Sequence, residues 1–416
     1  MKRMFLGLLA ALSLTVANAN EDAVLEWNRI AFDLLLDQPP PLQMRFGAIV
    51  QLAVFEGVNS VDGEYQSTVD VPRSSPGASA PAAAVSAAHR VLRTYFPERA
   101  AEFDAARVKS LGRVPAGPAR DAGIAAGEAA AIAVMASRES DGAENDESYL
   151  PGSTDPGQWQ LTADCPPTGG VFLHWRDLKP FVIRSAEQFR LSPPPVLGST
   201  RYARAYAEVM EKGARDSTQR PPDRTLVAQF YETFGDGGLW NPVARQLARA
   251  SRQTLAQNAR TFALMNLALN DLTIALVETK YYYHFWRPET AIVAGGTDGN
   301  GRTQPDASYA PLVPAPCHPS YPSGHAATSG AAREVLERTF GARGHRIVVT
   351  QPAMPGVELE YSTLEEITDD IDDARVYGGI HFRFDQKGGA EQGRNVGAYV
   401  FRQAFKPAGR CHCPDR

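Results

Sequence analysis

The stretch CHPSYPSGHAATSG, Cys317 to Gly330, is rich in proline at its start and in small residues at its end. The change falls at Ser323 and Gly324, where a proline-broken loop should turn into a helix. Ser323 is suited to cap that helix, and Gly324 lets the backbone approach a ligand closely. The helix then offers free N–H groups and the positive end of its dipole. His325 follows within reach of whatever binds there. Such a turn suits a tetrahedral oxyanion. Alone, however, PSGH also describes an ordinary helix start, so its meaning depends on what the rest of the chain brings to the same point.

Two other segments bring basic groups. In KYYYHFWRP, Lys280 and Arg287 lie seven apart, two helical turns and so nearly one face. Pro288 disfavours helix at Arg287 and should end the helix there. The band Tyr281, Tyr282, Tyr283, Phe285 and Trp286 predicts burial around these cations, and buried cations need an anion. In ARVYGGIHFRFD, Arg375 and His381 are six apart and would not share a face of a straight helix. Gly378 and Gly379 allow a bend that lets both converge. Asp385, four after His381, is placed to orient the imidazole. Arg383 alternates with these residues and reads as structural.

Working outward, most of the chain has helical periodicity. AVLEWNRIAFDLLL, MRFGAIVQLAVFEGVN, APAAAVSAAHRVLRTYF and the Ala-rich run closing at Asp141-Gly142 occupy the first third. From Ser148 to Gly198 the pattern gives way to Pro, Gly and aromatics. That is an ordered loop region in which Trp159, Phe172, Trp175 and Phe181 call for burial. Helices resume at RYARAYAEVMEKGA and RTLVAQFYETF. The run from Asn241 to Trp286 is the most apolar helical region, and further helices follow from about Ser323 to Phe340 and near the C-terminus. RIVVTQP and VELEY are the best strand candidates, as a small hairpin. DGNGR lacks the spaced acidic ligands and closing Glu of a calcium loop, so it reads as a turn.

Lys2 and Arg3, a short apolar run and Ala17-Asn18-Ala19 form the pattern of a secretory signal peptide cleaved after Ala19. The expected location is periplasmic or secreted, with 20–230 as an N-terminal helical half and 231–416 as a C-terminal half carrying the site. No later stretch reads as apolar enough to span a membrane. The 42 basic residues less Lys2 and Arg3 leave 40 against 47 acidic ones. That acidic balance argues against nucleic acid or anionic lipid as partner, and any anion site must be a local concentration of cations. Cys165, Cys317, Cys411 and Cys413 could form disulfides in an oxidising compartment, with pairing at distance favoured and the partners open. A zinc site at Cys411-His412-Cys413 is a weak reading, since it lacks a fourth ligand. An oligomer is possible but not legible.

Taken together, the three segments resemble the vanadium-dependent haloperoxidases and type-2 phosphatidic acid phosphatases, whose shared pattern is K-x6-R-P, P-S-G-H and S-R-x5-H-x3-D. Here these are Lys280…Arg287-Pro288, Pro322-Ser323-Gly324-His325 and Arg375…His381…Asp385, with Ala374 in place of the usual Ser. EWNRIAFDLLL, PGQW and LNDLTIALVETKYYYHFWRPETAI are similar to bacterial members along most of the chain. The resemblance implies an all-α fold of two helical bundles, the second holding the site. It also implies vanadate as cofactor, hydrogen peroxide and halide as substrates, and no electron carrier. Lys280, Arg287, Arg375, Ser323 and Gly324 would hold the oxyanion, with His381 as the vanadium ligand. His325 would be the acid–base partner, and Lys280 would polarise peroxide. The alternative is a soluble acid phosphatase in which His381 is phosphorylated by a phosphate ester and His325 protonates the leaving alcohol. A non-catalytic anion-binding protein is a third reading. His318, where bromoperoxidase-type members carry His, and Val277, where the chloroperoxidase type places an aromatic, lean towards bromide or iodide; His318 reads equally as a loop residue packed on Pro319.

Overall fold

The computed structural model describes residues 22–145, 149–162, 165–232, 234 and 237–409. The expected signal peptide and the Cys411-His412-Cys413 segment lie outside the described residues. Five helices open the chain: α1 (Ala23–Leu35), α2 (Pro40–Asp62), α3 (Ala80–Tyr95), α4 (Ala100–Leu111) and α5 (Pro118–Ser137). Eight more follow: α6 (Thr200–Gly213), α7 (Pro222–Phe230), α8 (Gly237–Ser251), α9 (Leu255–Tyr283), α10 (Pro288–Val293), α11 (Gly324–Phe340), α12 (Leu364–Tyr377) and α13 (Arg383–Gln403). The expected hairpin is present as β1 (Arg343–Thr350) and β2 (Glu358–Thr363), antiparallel, with Val348 opposite Glu360. Among the described residues the regular structure is helical apart from this hairpin.

Helix α9 is the shared wall of the two bundles, packing on α2 to one side and on α11 and α13 to the other. Thr254 caps it with a full capping box to Gln257, which breaks the apolar run from Asn241 into α8 and α9. By length and composition α9 could cross a bilayer, which corrects the expectation that no such stretch exists. Its most apolar window is 94 % buried inside the protein, however, so the apolarity is spent on the common core.

Small residues set the helix spacings nearest the site. Helix α13 lies parallel to α11, with Gly389, Gly393 and Gly397 facing Ser323, Ala327 and Ala331 in turn. A Cβ on Gly393 would fall 2.0 Å from the carbonyl oxygen of Ala327, so only glycine permits this approach. Four-residue spacing repeats the contact at each turn. Helices α11 and α13 therefore begin side by side, and their first turns carry the two histidines' segments.

Some expectations shift. Helix α5 stops at Ser137, and Asp141 lies beyond it as a buried acceptor for Arg45 and Arg138. Trp159 and Trp175 are buried as expected, while Phe172 and Phe181 are only half-buried. Asp298 accepts from the amide of Asn300 and the hydroxyl of Thr303, so DGNGR is a side-chain-capped turn.

Candidate active site

The three segments converge. Helix α9 delivers Lys280 in its last turn, then stops at Tyr283 because His284 adopts a left-handed backbone with φ 49°. The helix thus ends before Arg287, which leads into the short α10 from an extended backbone. This corrects the single-helix reading of Lys280 and Arg287. The aromatic band is only partly interior: Tyr281, Phe285 and Trp286 are buried, but Tyr282 is 56 % exposed and lies under the Arg190 guanidinium.

The loop before α11 supplies the acceptors. Lys280 Nζ donates to the carbonyls of Pro319 (2.8 Å) and Ser320 (3.0 Å). Arg287 donates from Nε to the carbonyl of His318 and from Nη2 to the carbonyl of Pro316 and the Nδ1 of His318. Its Nη1 donates to the carbonyl of Ile380 and to Nε2 of His381 at 3.0 Å. All five N–H groups of this fully buried guanidinium are engaged.

Helix α12 ends at Tyr377, and the turn through Gly378 and Gly379 (φ 84°) reverses the chain towards His381. A Cβ at Gly379 would meet the carbonyl of Gly213 at 2.4 Å, so the bend is available to glycine alone. Phe382 and Phe384 then stack on each other at 5.0 Å and pack on Phe285 and Tyr202, anchoring the turn. Asp385 accepts from Nδ1 of His381 at 2.9 Å, from the amide of Phe382 at 3.0 Å and from the hydroxyl of Ser320 at 2.6 Å. With Nδ1 as donor, Nε2 carries the lone pair, which accepts from Nη1 of Arg287.

Arg375, buried in the last turn of α12, donates from Nη1 to the carbonyls of Tyr231 and Glu232. Its charge is the strongest single one acting on His325. Ser323 is buried and caps α11 through the amide of Ala326, and its own amide donates to the carbonyl of Asp385. Gly324 begins α11, and a Cβ there would meet only Leu276, at 3.6 Å. Nε2 of His325 is enclosed and has no hydrogen-bond partner. Arg383 is structural, as read, pairing with Glu208 and Asp373.

Burial and the gathered cations shift every titratable group of the cluster. Burial, then Arg287 and Arg375, hold the Lys280 ammonium well below its ordinary range, and burial lowers Arg287 to about 9. Burial and the neighbouring cations likewise push His318, His325 and His381 well below the usual imidazole range. Burial raises Asp385, against its hydrogen bond from Ser320, the amide of Phe382 and the pull of Lys280 and Arg287. Lys280 and Arg287 are buried near the buried carboxylate of Asp385, and buried charges of one sign gathered in one place favour an added anion. Clustered donors, an open face at Gly324 and an enclosed His325 nitrogen without a hydrogen-bond partner fit a metal oxyanion such as vanadate.

His318 sits in the cluster and against Pro319 at once: its Nδ1 lies 3.1 Å from Nη2 of Arg287 and 3.2 Å from the Pro319 carbonyl. Val277 is buried with Leu173, Trp175 and Ile274. The sequence reading missed Ser320, which touches Asp385 by its hydroxyl and Lys280 by its carbonyl; its place in HPSYPSGH was the available signal. The structure also pairs Cys165 with Cys317.

Residues 260–409 match the family model described as the VCPO second helical-bundle domain. Vanadium chloroperoxidase of Curvularia inaequalis is 24% identical over 199 residues, covering 41% of this chain and 32% of that protein. The chain thus matches about a third of that relative's length. Among solved structures, a bacterial vanadium-dependent iodoperoxidase superposes with a TM-score of 0.76 at 24% identity, covering 91% of this chain and 95% of the other. A holo-type bacterial vanadium-dependent chloroperoxidase gives 0.70 at 18% identity, covering 88% and 92%. Residues 260–409 thus resemble the vanadium chloroperoxidase second helical-bundle domain, and the chain as a whole shares the fold of these bacterial vanadium-dependent haloperoxidase structures.

Proposed function

We propose that the protein is an exported vanadate-dependent haloperoxidase that uses hydrogen peroxide to oxidise bromide or iodide to hypohalous acid. The observation that carries this reading is the buried set Lys280, Arg287 and Arg375 around His381, whose Asp385 partner leaves Nε2 as the ligating atom. Vanadate bound there would supply a Lewis acid that polarises peroxide without changing oxidation state. His381 Nε2 would be its ligand, which would release the Arg287 Nη1 donor now on Nε2 to the oxyanion; Lys280, Arg375, Ser323 and the first-turn N–H of Gly324 would hold the other oxygens.

The chain's own residues then have defined tasks. His325, kept neutral by burial and Arg375, offers Nε2 as a base for a peroxide proton. Lys280, aligned by the carbonyls of Pro319 and Ser320, would have its remaining N–H for an oxygen of the bound oxyanion or peroxide. His318 Nδ1 lies 3.1 Å from Nη2 of Arg287 and 3.2 Å from the Pro319 carbonyl; in the tautomer that accepts from Arg287, its Nε2 would carry the proton and could donate to a halide. Halide, peroxide and one proton give hypohalous acid and water. The Cys165–Cys317 disulfide accords with export to an oxidising compartment.

The test is to load purified apoprotein with orthovanadate and follow chloride, bromide and iodide oxidation by peroxide, with phosphate-ester hydrolysis assayed without vanadate. Bromide or iodide oxidation that requires vanadate is expected. Hydrolysis that vanadate abolishes, with no halide oxidation, would overturn the peroxidase reading in favour of a phosphohistidine phosphatase.

A further inference from the structure

Residues 316–320 have no regular secondary structure, yet they form the floor of the cation cluster. Pro316 and His318 accept from Arg287, and Pro319 and Ser320 accept from Lys280. The remaining residue, Cys317, makes no such contact. Instead its sulfur is bonded to Cys165, and its carbonyl accepts from the amide of Val171 at 2.9 Å. The far side of that clamp is itself fixed, since Val171 gives its carbonyl to the hydroxyl of Tyr281, one residue after Lys280. Gly170 bridges Tyr149, whose hydroxyl bonds His284 at the end of α9.

We propose that the Cys165–Cys317 disulfide is a positioning element of the oxyanion site, holding residues 316–320 at the level where Lys280 and Arg287 converge on His381. A coil segment without a helix or sheet of its own samples many backbone states unless it is tied. A covalent tie across 152 residues removes most of that freedom. Without it, the carbonyls that aim Lys280 and Arg287 would move with the loop, and both cations would lose their common focus. The proposal rests on the oxyanion-site reading, which haloperoxidase and phosphatase chemistry share.

The test uses orthophosphate, an anion that survives reducing conditions, with affinity measured by calorimetry. The full-length protein is compared before and after reduction by tris(2-carboxyethyl)phosphine and desalting. In that reduction the phosphine is oxidised, its oxygen coming from water, and the S–S bond takes two electrons and two protons to become two thiols. A Cys165→Ala/Cys317→Ala variant isolates this bridge from Cys411 and Cys413. The expected result is a tenfold or greater loss of phosphate affinity at unchanged helical circular dichroism, restored when the reduced protein is reoxidised. Equal affinity in both forms overturns the proposal, as does a loss that only accompanies unfolding. Should the variant not fold, the reduced wild-type protein still decides the question. Binding of neither phosphate nor vanadate by the oxidised protein would instead overturn the oxyanion-site reading itself.

Discussion

Asp385 holds Nδ1 of His381 at 2.9 Å while the hydroxyl of Ser320 holds the same carboxylate oxygen at 2.6 Å. The ring therefore has one tautomer and one orientation. Replacing Asp385 with Asn removes the charge and lets the amide donate to Nδ1, which would move the lone pair off Nε2. Asp385→Asn is expected to weaken vanadate or phosphate binding by about 10–100-fold, in line with other lost ligand supports. Calorimetry gives the affinity, and nitrogen NMR of the imidazoles shows whether the tautomer has changed.

Ser320→Ala leaves the backbone acceptor of Lys280 in place but strips the buried carboxylate of a donor. The hydrogen bond from Ser320 opposes the burial that raises Asp385, so its loss should raise that carboxyl further. A cost of about 1–3 kcal/mol is expected for a buried acceptor left short. Chemical denaturation measures it, and phosphate affinity should drop less than in Asp385→Asn.

The neutral histidines predict a sign for acid sensitivity. His325 has a folded-state proton affinity below the unfolded value, because burial and Arg375 disfavour its charged form. The unfolded chain then binds more protons as pH falls through the ordinary imidazole range near 6.5, and folded stability is lost. Melting temperature should fall between pH 7 and pH 5 in anion-free protein. Bound phosphate supplies the opposing charge and should flatten that fall. A His325→Gln variant should show a shallower fall without phosphate.

Asp372 gives the opposite sign. It lines a groove of about 210 Å³ with Ala326, Gly330, Asp369, Lys387 and Arg394. Burial raises its carboxyl to about 7, with Arg383 opposing and Asp369 adding to the rise. Its folded-state affinity for a proton exceeds the unfolded one, so its contribution is present at low pH and lost as pH rises through 7. Each tenfold difference in proton affinity is worth about 1.4 kcal/mol; after solvent screening, Asp372→Asn should add about 1–2 kcal/mol at pH 8. At pH 4 it should change little. Denaturation at the two pH values separates the cases.

Gly393→Ala tests the helix contact, since the added carbon would lie 2.0 Å from the carbonyl of Ala327. Overpacking against backbone is expected to cost about 3 kcal/mol or more, read as a lowered melting temperature. Gly341→Ala is the useful contrast: no atom lies within 4 Å of its Cβ position, although its φ of 87° still carries a backbone cost.

Much of this was legible because its causes are local. Ser323 caps α11, Gly378-Gly379 make the bend, and the motif resemblance of the Lys280, Arg287, Arg375, His381 and Asp385 segments pointed to one cluster. The hairpin followed from alternation in RIVVTQP and VELEY. What stayed hidden depends on partners distant in the chain. The stop of α9 at Tyr283 involves His284 bonded to Tyr149, 135 residues away. Tyr282 faces outward, and the contact it does make, with Arg190 anchored by Glu278 over its ring, is a tertiary one. The partner of Cys317 and the task of Ser320 are likewise tertiary facts, and α9 looked non-spanning only while its length was unknown.

The glycine face between α11 and α13 bears on how such a site can tolerate change. The first turns of these helices carry His325 and Asp385, and their spacing rests on main chain meeting main chain. Backbone dimensions do not vary with side-chain identity, so substitutions elsewhere on either helix leave the distance between the two segments untouched. Divergence can then accumulate over the surface, down to a quarter of shared residues or fewer, while the gap that an oxyanion must fill keeps its width.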